Sequence, residues 1–370
     1  MNRKDFLKHS FAGLALGTGL SDCKPSRNYS NIENLEKLPY LVWRIASSFP
    51  RGIDTIYNAA EVFAEKVKLL SGGRFKIRVF PAGELVPGLQ VLDAVQNGTI
   101  QMGHSASYYF TGKNPALAFD CGVPFGLTSR QQNAWQEFGG GKELLASIFS
   151  DFNILSLPGG NTGTQMGGWF RNEVKNLSEL KGIKMRIPGL GGQVMNRLEV
   201  NVQVLAGGDI YPALERGAID ATEWVGPHDD EKLGFYKVAK YYYYPGFWEP
   251  SAQISFYINT EEWKTLPEIY KEIIKLSATE ANIQMMANYD YLNPIALESL
   301  LRKGVQLREF SKDILIEARK KAFEIMEENA AKDAAYKKIY LSWKNFREAS
   351  FKWFNKSETS YANFAYGESK

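Results

Sequence analysis

The chain has 370 residues, 44% of them hydrophobic and 23% charged, a globular composition with room for two lobes of ordinary size. Forty-four Lys and Arg against 41 Asp and Glu leave a formal charge of +3, and the absence of any long basic run argues against nucleic acid as a partner. Aromatic residues make up 13%, many of them beside Gly and Pro, where they can line a cleft as well as fill a core.

Residues 1–23 read as an export signal. Arg3, Lys4 and Lys8 form a basic patch, and residues 11–20 (FAGLALGTGL) are all apolar or small. That run is about half of a bilayer span, which suits a signal core and not a transmembrane anchor. Asn2 to Lys8 resemble a twin-arginine signal with Lys4 in place of the second Arg, so ordinary Sec export stays open. Leu20-Ser21-Asp22-Cys23 looks like a lipoprotein cleavage box, although Asp22 stands where a small residue is usual. A lipid-anchored Cys23 and a soluble protein cleaved nearby are both open, and both place the chain in the periplasm. Cys121 is the one other cysteine, so neither a disulfide framework nor a cysteine metal cluster can be built.

Residues 41–46 read as a strand, 57–70 as an amphipathic helix stopped by Gly72 and Gly73, and 75–80 as a strand ended by Pro81. A helix over 89–96, capped by Gly98, leads to a strand over 99–103. This alternation predicts a parallel α/β sheet. The script then recurs. Lys76-Ile77-Arg78-Val79-Phe80-Pro81 is echoed by Lys184-Met185-Arg186-Ile187-Pro188, and Ala94 to Gln101 by Ala213 to Asp220, at offsets of 108 and 119 residues. Two α/β lobes of related design are expected, with an insertion in the second. Residues 267–301 predict one long helix with Pro294 as a kink or break, 305–310 a short strand, and 311–354 more helix. The polar tail carries Trp353, Phe354, Tyr361, Phe364 and Tyr366, a stripe suited to packing on the parent lobe or on a second subunit.

Three motifs are misleading. Gly139-Gly140-Gly141-Lys142 lacks both the Ser or Thr of a phosphate loop and a strand leading into it. Pro188-Gly189-Leu190-Gly191-Gly192 lacks the third glycine at dinucleotide spacing. Gly103-His104-Ser105-Ala106-Ser107 approaches a nucleophile elbow, with His228 as the only downstream histidine, but its continuation is loop-like. An exported serine hydrolase using Ser105 and His228 is the enzyme alternative. With three His and no usable Cys, catalytic zinc is disfavoured, whereas cations with oxygen ligands remain possible.

The informative stretch runs from Gly159 to Pro250. A Gly-rich segment with amides and hydroxyls (GGNTGTQMGGW) precedes Arg186 at a strand end, then Glu223-Trp224-Val225-Gly226-Pro227 follows another strand, and YYYYPGFWEP carries Glu249. Ligands of open α/β sheets sit beyond the carboxyl ends of strands, so Arg186, Gln165, Glu223 and Glu249 could converge. GELVPGLQVLDAVQNGTIQMGHSASYYFTGKNPALAF, GNTGTQMGGWF, KMRIPGLGG, GAIDATEWVGPHDD and YYYYPGFWEP resemble the solute-binding proteins of tripartite ATP-independent periplasmic (TRAP) transporters, from about Tyr40 to beyond Leu307. Within that family they are most similar to the subgroup that binds 2-oxo acids or lactate with a metal ion.

The resemblance implies a two-lobed periplasmic-binding-protein fold of α/β class that closes about a hinge, with a long interlobe helix. Lobe 1 would take residues 38–160 and 251–283, lobe 2 residues 161–250 and 284–347, and residues 348–370 a helical tail used for dimerisation. It implies a receptor that hands a small 2-oxo or 2-hydroxy monocarboxylate to a membrane permease, and not an enzyme. Arg186 would grip the carboxylate, Gln165, Glu223, the Trp224 carbonyl and Glu249 would hold Na+ or Ca2+, and Asn161 and Tyr108 would add pocket contacts. Ser47, Ser48 and Phe49 match the first-strand loop facing the cleft. Charge balance agrees: a monocarboxylate and two ionised Glu against one Arg leave two negative charges in a closed site, a costly burial that a cation relieves. A sensor module of the same fold is the second alternative.

Overall fold

Two sheets built on the same three-strand unit organise residues 37–367, the part of the chain described by this computed structural model. The export signal and Cys23 lie outside the described residues. In the first unit β1 (Leu41–Ser47) runs between β2 (Phe75–Phe80) and β3 (Met102–Ser105), all parallel. The crossover helix Ile56–Leu70 buries Ile56, Ala59, Ala60, Phe63 and Val67, a stripe at helical spacing that faces the sheet. β3 begins three residues later than the pattern suggests, because residues 97–101 are spent on a turn in which the Thr99 and Ile100 amides both return to the Ala94 carbonyl. β4 (Ile154–Asn161) forms the far edge of this sheet.

The chain then crosses to the second sheet through β5 (Trp169–Phe170). Here β6 (Lys184–Arg186) runs between β7 (Asn201–Gln203) and β8 (Ala221–Thr222), again all parallel. The counterpart of β6 is therefore β1 and not β2. The echo between residues 76–81 and 184–188 reflects strand chemistry ended by proline, not the structural repeat. The second echo is structural, since the helices Val91–Gln96 and Gly207–Glu215 lead into the corresponding strands β3 and β8. β9 (Tyr241–Tyr244) pairs antiparallel with β5, and β10 (Gln253–Asn259) returns to the first sheet, antiparallel to both β3 and β4. The expectation of a parallel sheet thus holds within the β1 to β3 and β6 to β8 units, and each sheet as a whole is mixed. β11 (Gln306–Glu309) pairs with β9 at the edge of the second sheet.

A helix of 35 residues, Glu268–Arg302, joins β10 to β11 and packs on both halves, against the helix Ile56–Leu70 on one and Pro227–Leu233 on the other. Pro294 neither ends nor breaks it. Proline forfeits one backbone bond, to the Asp290 carbonyl, but Tyr289, Ala296 and Leu300 are buried on either side, so packing outweighs the local penalty. The helix expected over 311–354 is instead two, Lys312–Lys332 and Ala334–Phe354. They break at Asp333, whose side chain caps the second by accepting from the Tyr336 amide at 2.6 Å. The tail continues helically through Ser360–Ala365.

Candidate functional site

Arg186 is the last residue of β6, and Glu223 the first after β8, the strand beside it. Parallel pairing sets Arg186 opposite Thr222, and the Glu223 amide donates to the Arg186 carbonyl at 3.3 Å. Both side chains therefore leave neighbouring strands at their carboxyl ends, where such sheets bind ligands. The guanidinium donates through Nη1 to a Glu223 carboxylate oxygen and to the Glu223 carbonyl (3.2 Å), and through Nε to the Leu205 carbonyl (3.1 Å). The Trp224 ring lies over it, 5.3 Å from the guanidinium carbon.

Gln165 and Glu249 arrive on the two segments that cross between the sheets. Residues 162–168 and 245–252 run side by side: the Thr162 amide donates to the Ala252 carbonyl (3.0 Å), Gln165 to Glu249 (3.4 Å) and Gly246 to Gln165 (3.1 Å). A Cβ on Gly246 would stand 2.5 Å from the Gln165 carbonyl oxygen, so glycine is what permits this approach. Asn161 ends β4, its Oδ1 accepting from the Gly163 amide at 2.9 Å. Tyr108 and Tyr109, on the short 3-10 turn Ser107–Phe110, and Phe49 close the site from the first lobe, the Phe49 ring standing edge-on to Trp224. Between them lies a cavity of about 10 Å3, lined by Phe49, Tyr108, Tyr109, Gln165 and Trp224, which is the room of about one water.

Charge is tightly confined here. Burial pushes the Glu223 carboxyl up to about 7 against the pull of Arg186. Burial, and then the charge of Glu223, hold Glu249 well above the carboxylate range, while Arg186, Gln165 and Tyr108 pull it back. Desolvation opposes the charge on Arg186, but Glu223 and the two tyrosines more than offset it and its pKa is raised.

Buried polar atoms nearly always find a partner. Nη2 of Arg186, Oε2 of Glu223, Oε2 of Glu249, Oε1 of Gln165 and Nδ2 of Asn161 are buried without one. Three of these atoms are oxygens suited to a hard cation and two are donors suited to a carboxylate. Among the described residues no group of three or more His, Cys, Asp or Glu could hold a metal, which leaves two carboxylates completed by an amide and a backbone carbonyl. That oxygen-only set fits Na+ or Ca2+ and does not fit zinc.

Ser105 and His228 are not brought together. The Ser105 hydroxyl meets Ser48 at 2.6 Å, whereas His228 Nε2 meets Asp54 at 2.9 Å. His104 bonds Ser47 through Nδ1 at 3.0 Å, and burial pushes its pKa down to about 3. Gly140 and Gly189 open ordinary helices, Gly141–Ser150 and Gly189–Arg197. Two residues that sequence reading missed are Tyr109, which faces Arg186, and Thr162, whose Oγ1 accepts from Gln165 Nε2 at 3.1 Å. Both stand inside motifs already singled out, the aromatic run after β3 and the Gly-rich segment after β4.

Two lobes of α/β design that meet over a buried arginine and two buried glutamates define a solute-binding protein. The profile of the bacterial extracellular solute-binding proteins, family 7, matches residues 47–333, and the chain belongs to that family, the binding proteins of TRAP transporters. It is 52% identical over 365 residues, 99% of each chain, to the monocarboxylate 2-oxoacid-binding periplasmic protein of Nostoc sp.. A TRAP solute-binding protein of Bordetella bronchiseptica, a dimer with calcium and picolinate in one site, superposes with a TM-score of 0.88 at 44% identity, covering 89% of this chain and 98% of that one. One from Colwellia psychrerythraea with bound calcium and pyruvate gives 0.84 at 37% identity, covering 87% and 98%. One from Pseudoalteromonas atlantica with bound sodium and pyruvate gives 0.84 at 38%, with the same coverage.

Proposed function

We propose that the protein is an extracytoplasmic receptor that captures a small 2-oxo or 2-hydroxy monocarboxylate, of the pyruvate or lactate type, together with Na+ or Ca2+, and delivers it to TRAP permease subunits. The observation that carries this reading is the group of five unpartnered buried polar atoms around the Arg186–Glu223 pair. Arg186 Nη2 would donate to the ligand carboxylate, with its other two nitrogens held by Glu223 and Leu205 so that the free one is aimed. Gln165, Glu223, the Trp224 carbonyl and Glu249 would hold the ion, with Asn161 and Tyr108 as further pocket contacts. The bound ion supplies positive charge to the carboxylate and the 2-oxygen of the ligand, which a simple fatty acid cannot offer together. No covalent chemistry is asked of the site, in keeping with a receptor and not an enzyme.

A one-water cavity cannot admit such a ligand, so binding needs the lobes to part and close again. In this reading residues 38–160 with 251–283 move against 161–250 with 284–347, and the segments that carry Gln165 and Glu249 act as the hinge. Residues 1–23 direct export to the periplasm, with Cys23 as an optional lipid anchor. A homodimer through residues 348–370 is supported by the exposure of Trp353, Tyr361, Phe364 and Tyr366; protein ending at Arg347 should scatter light as a monomer. The deciding experiment for the receptor itself is calorimetry with pyruvate and with lactate. Binding should be tight with calcium or sodium present and weak after chelation in sodium-free buffer. Unchanged binding in that buffer would remove the ion from the reading.

A further inference from the structure

The turn Val123-Pro124-Phe125-Gly126 is closed by a bond from the Gly126 amide to the Val123 carbonyl at 3.0 Å. Its third residue has φ of 55°. Turns with proline second and positive φ third ordinarily carry glycine or asparagine there, yet here the residue is phenylalanine. A bulky side chain in the left-handed region persists only where its surroundings hold it, and such outliers gather near binding sites.

Two elements hold this one. From the C-terminal helix Ala334–Phe354, Arg347 Nε donates to the Phe125 carbonyl at 2.7 Å, with its guanidinium carbon 4.1 Å from the centre of the Phe351 ring. On the other side the Phe125 amide donates to the Phe247 carbonyl at 2.8 Å, and the two rings stack at 5.2 Å and 18°. Phe247 lies two residues before Glu249, in the short segment that also presses Gly246 onto Gln165. One continuous line of contacts thus runs from the C-terminal helix, through a strained turn, to the backbone that presents two of the ion-binding side chains.

We propose that Arg347 and Phe125 are positioning residues that brace the Phe247 to Glu249 segment, so that ion affinity is set in part from the C-terminal helix. This rests on the ion site proposed above and adds to it residues that touch neither ion nor ligand. Groups hydrogen-bonded directly to the ligands of a metal are worth about 10- to 100-fold in affinity, and a brace one step further out should fall at the lower end of that range. Phe125→Gly suits the turn's backbone and removes the ring that stacks on Phe247 and packs on the core beside it. Arg347→Ala removes the clamp, and Arg347→Lys keeps charge and stem while losing the Nε donor, a milder second variant should the alanine form fail to fold.

The test is calcium calorimetry on the full chain, with terbium luminescence as a spectroscopic reading of the site, since the terbium lifetime shortens when water replaces a protein ligand. The parent should bind calcium, and both Phe125→Gly and an Arg347 variant should bind it about tenfold more weakly, with a shortened terbium lifetime. Lys344→Ala, on the same helix and paired with Glu327, should change neither reading. Parent-like affinity and lifetime in folded Phe125 and Arg347 variants would overturn the brace while leaving the ion site standing. A parent that binds neither calcium nor sodium would overturn the ion site and the brace with it.

Discussion

Two pairs of buried acids, Glu223 with Glu249 and Asp229 with Asp230, have opposite characters. Glu223 and Glu249 each keep one carboxylate oxygen without a partner. Asp229 and Asp230, on the helix that begins four residues after Glu223, keep none. Asp229 accepts from Thr55, from Tyr289 at 2.6 Å and weakly from Trp224; Asp230 accepts from Tyr242 at 2.6 Å, Trp169 at 2.9 Å and the Val225 amide at 3.4 Å. Burial raises the pKa of all four. A shifted pKa alone therefore does not separate a binding carboxylate from a structural one. The separating property is unfilled hydrogen-bonding capacity. Asp229 spends its capacity on Thr55 and on Tyr289 of the long helix, and Asp230 on Trp169 of β5, Tyr242 of β9 and the Val225 amide, whereas each glutamate keeps one oxygen unfilled, as the proposed ion site requires.

The largest effect should come from the residue on which the first group turns. Arg186→Ala removes the charge-assisted bonds offered to a carboxylate, and the dehydrated Glu223 beside it would then take up a proton instead of standing charged and unpaired. Calorimetry with pyruvate in calcium buffer should show a loss of about 100-fold or more. Retention of affinity within about tenfold would mean that the unpartnered Nη2 has no part in holding the ligand.

A smaller loss is expected from Glu249→Gln, which keeps the shape of the side chain and deletes its charge. Calcium affinity should fall by about 10- to 100-fold, and pyruvate should weaken only as far as its binding depends on the ion. A pyruvate loss that persists at saturating calcium would show that Glu249 meets the ligand directly, which would move it from one role to another without merging the two acid groups.

How far this contrast could be read from the sequence differs from place to place. β1, the helix after it and β2 were legible within a residue or so, because local periodicity and glycine punctuation specify them. The alignment of the two lobes was not, since Lys76 to Pro81 and Lys184 to Pro188 share local chemistry while their strands occupy different positions in their sheets. Pro294 misled for a related reason: propensity describes an isolated helix, and this one is held from both lobes. Arg186, Glu223, Gln165 and Glu249 were legible as polar residues after strands and inside motifs, but the pairing of Arg186 with Glu223 was not. That pairing needs β6 and β8 to be neighbours, a consequence of topology. The satisfaction of Asp229 by Thr55 and Tyr289, from three distant parts of the chain, is invisible to any local reading.

The smallest expected effect is the sharpest test of the contrast. Burial lifts the Asp230 carboxyl to about 7, from an ordinary value of 3.8. Between those values the folded protein holds a proton there that the unfolded chain has released, so the unfolded state binds fewer protons and stability falls as pH rises. Asp230→Asn carries no charge at any pH and lacks this dependence. The thermal midpoint of the ligand-free parent should therefore decline relative to the variant between about pH 4 and pH 7, by a few degrees. The comparison of the two proteins cancels Asp120 and the two glutamates, which are common to both, and reports Asp230 together with its repulsion by Asp229. Calcium affinity of the variant should stay within about threefold of the parent, since no atom of Asp230 awaits a ligand. A folded Asp230→Asn protein that lost calcium as completely as Glu249→Gln would break the contrast, because a fully satisfied carboxylate would then matter to the ion as much as an unsatisfied one.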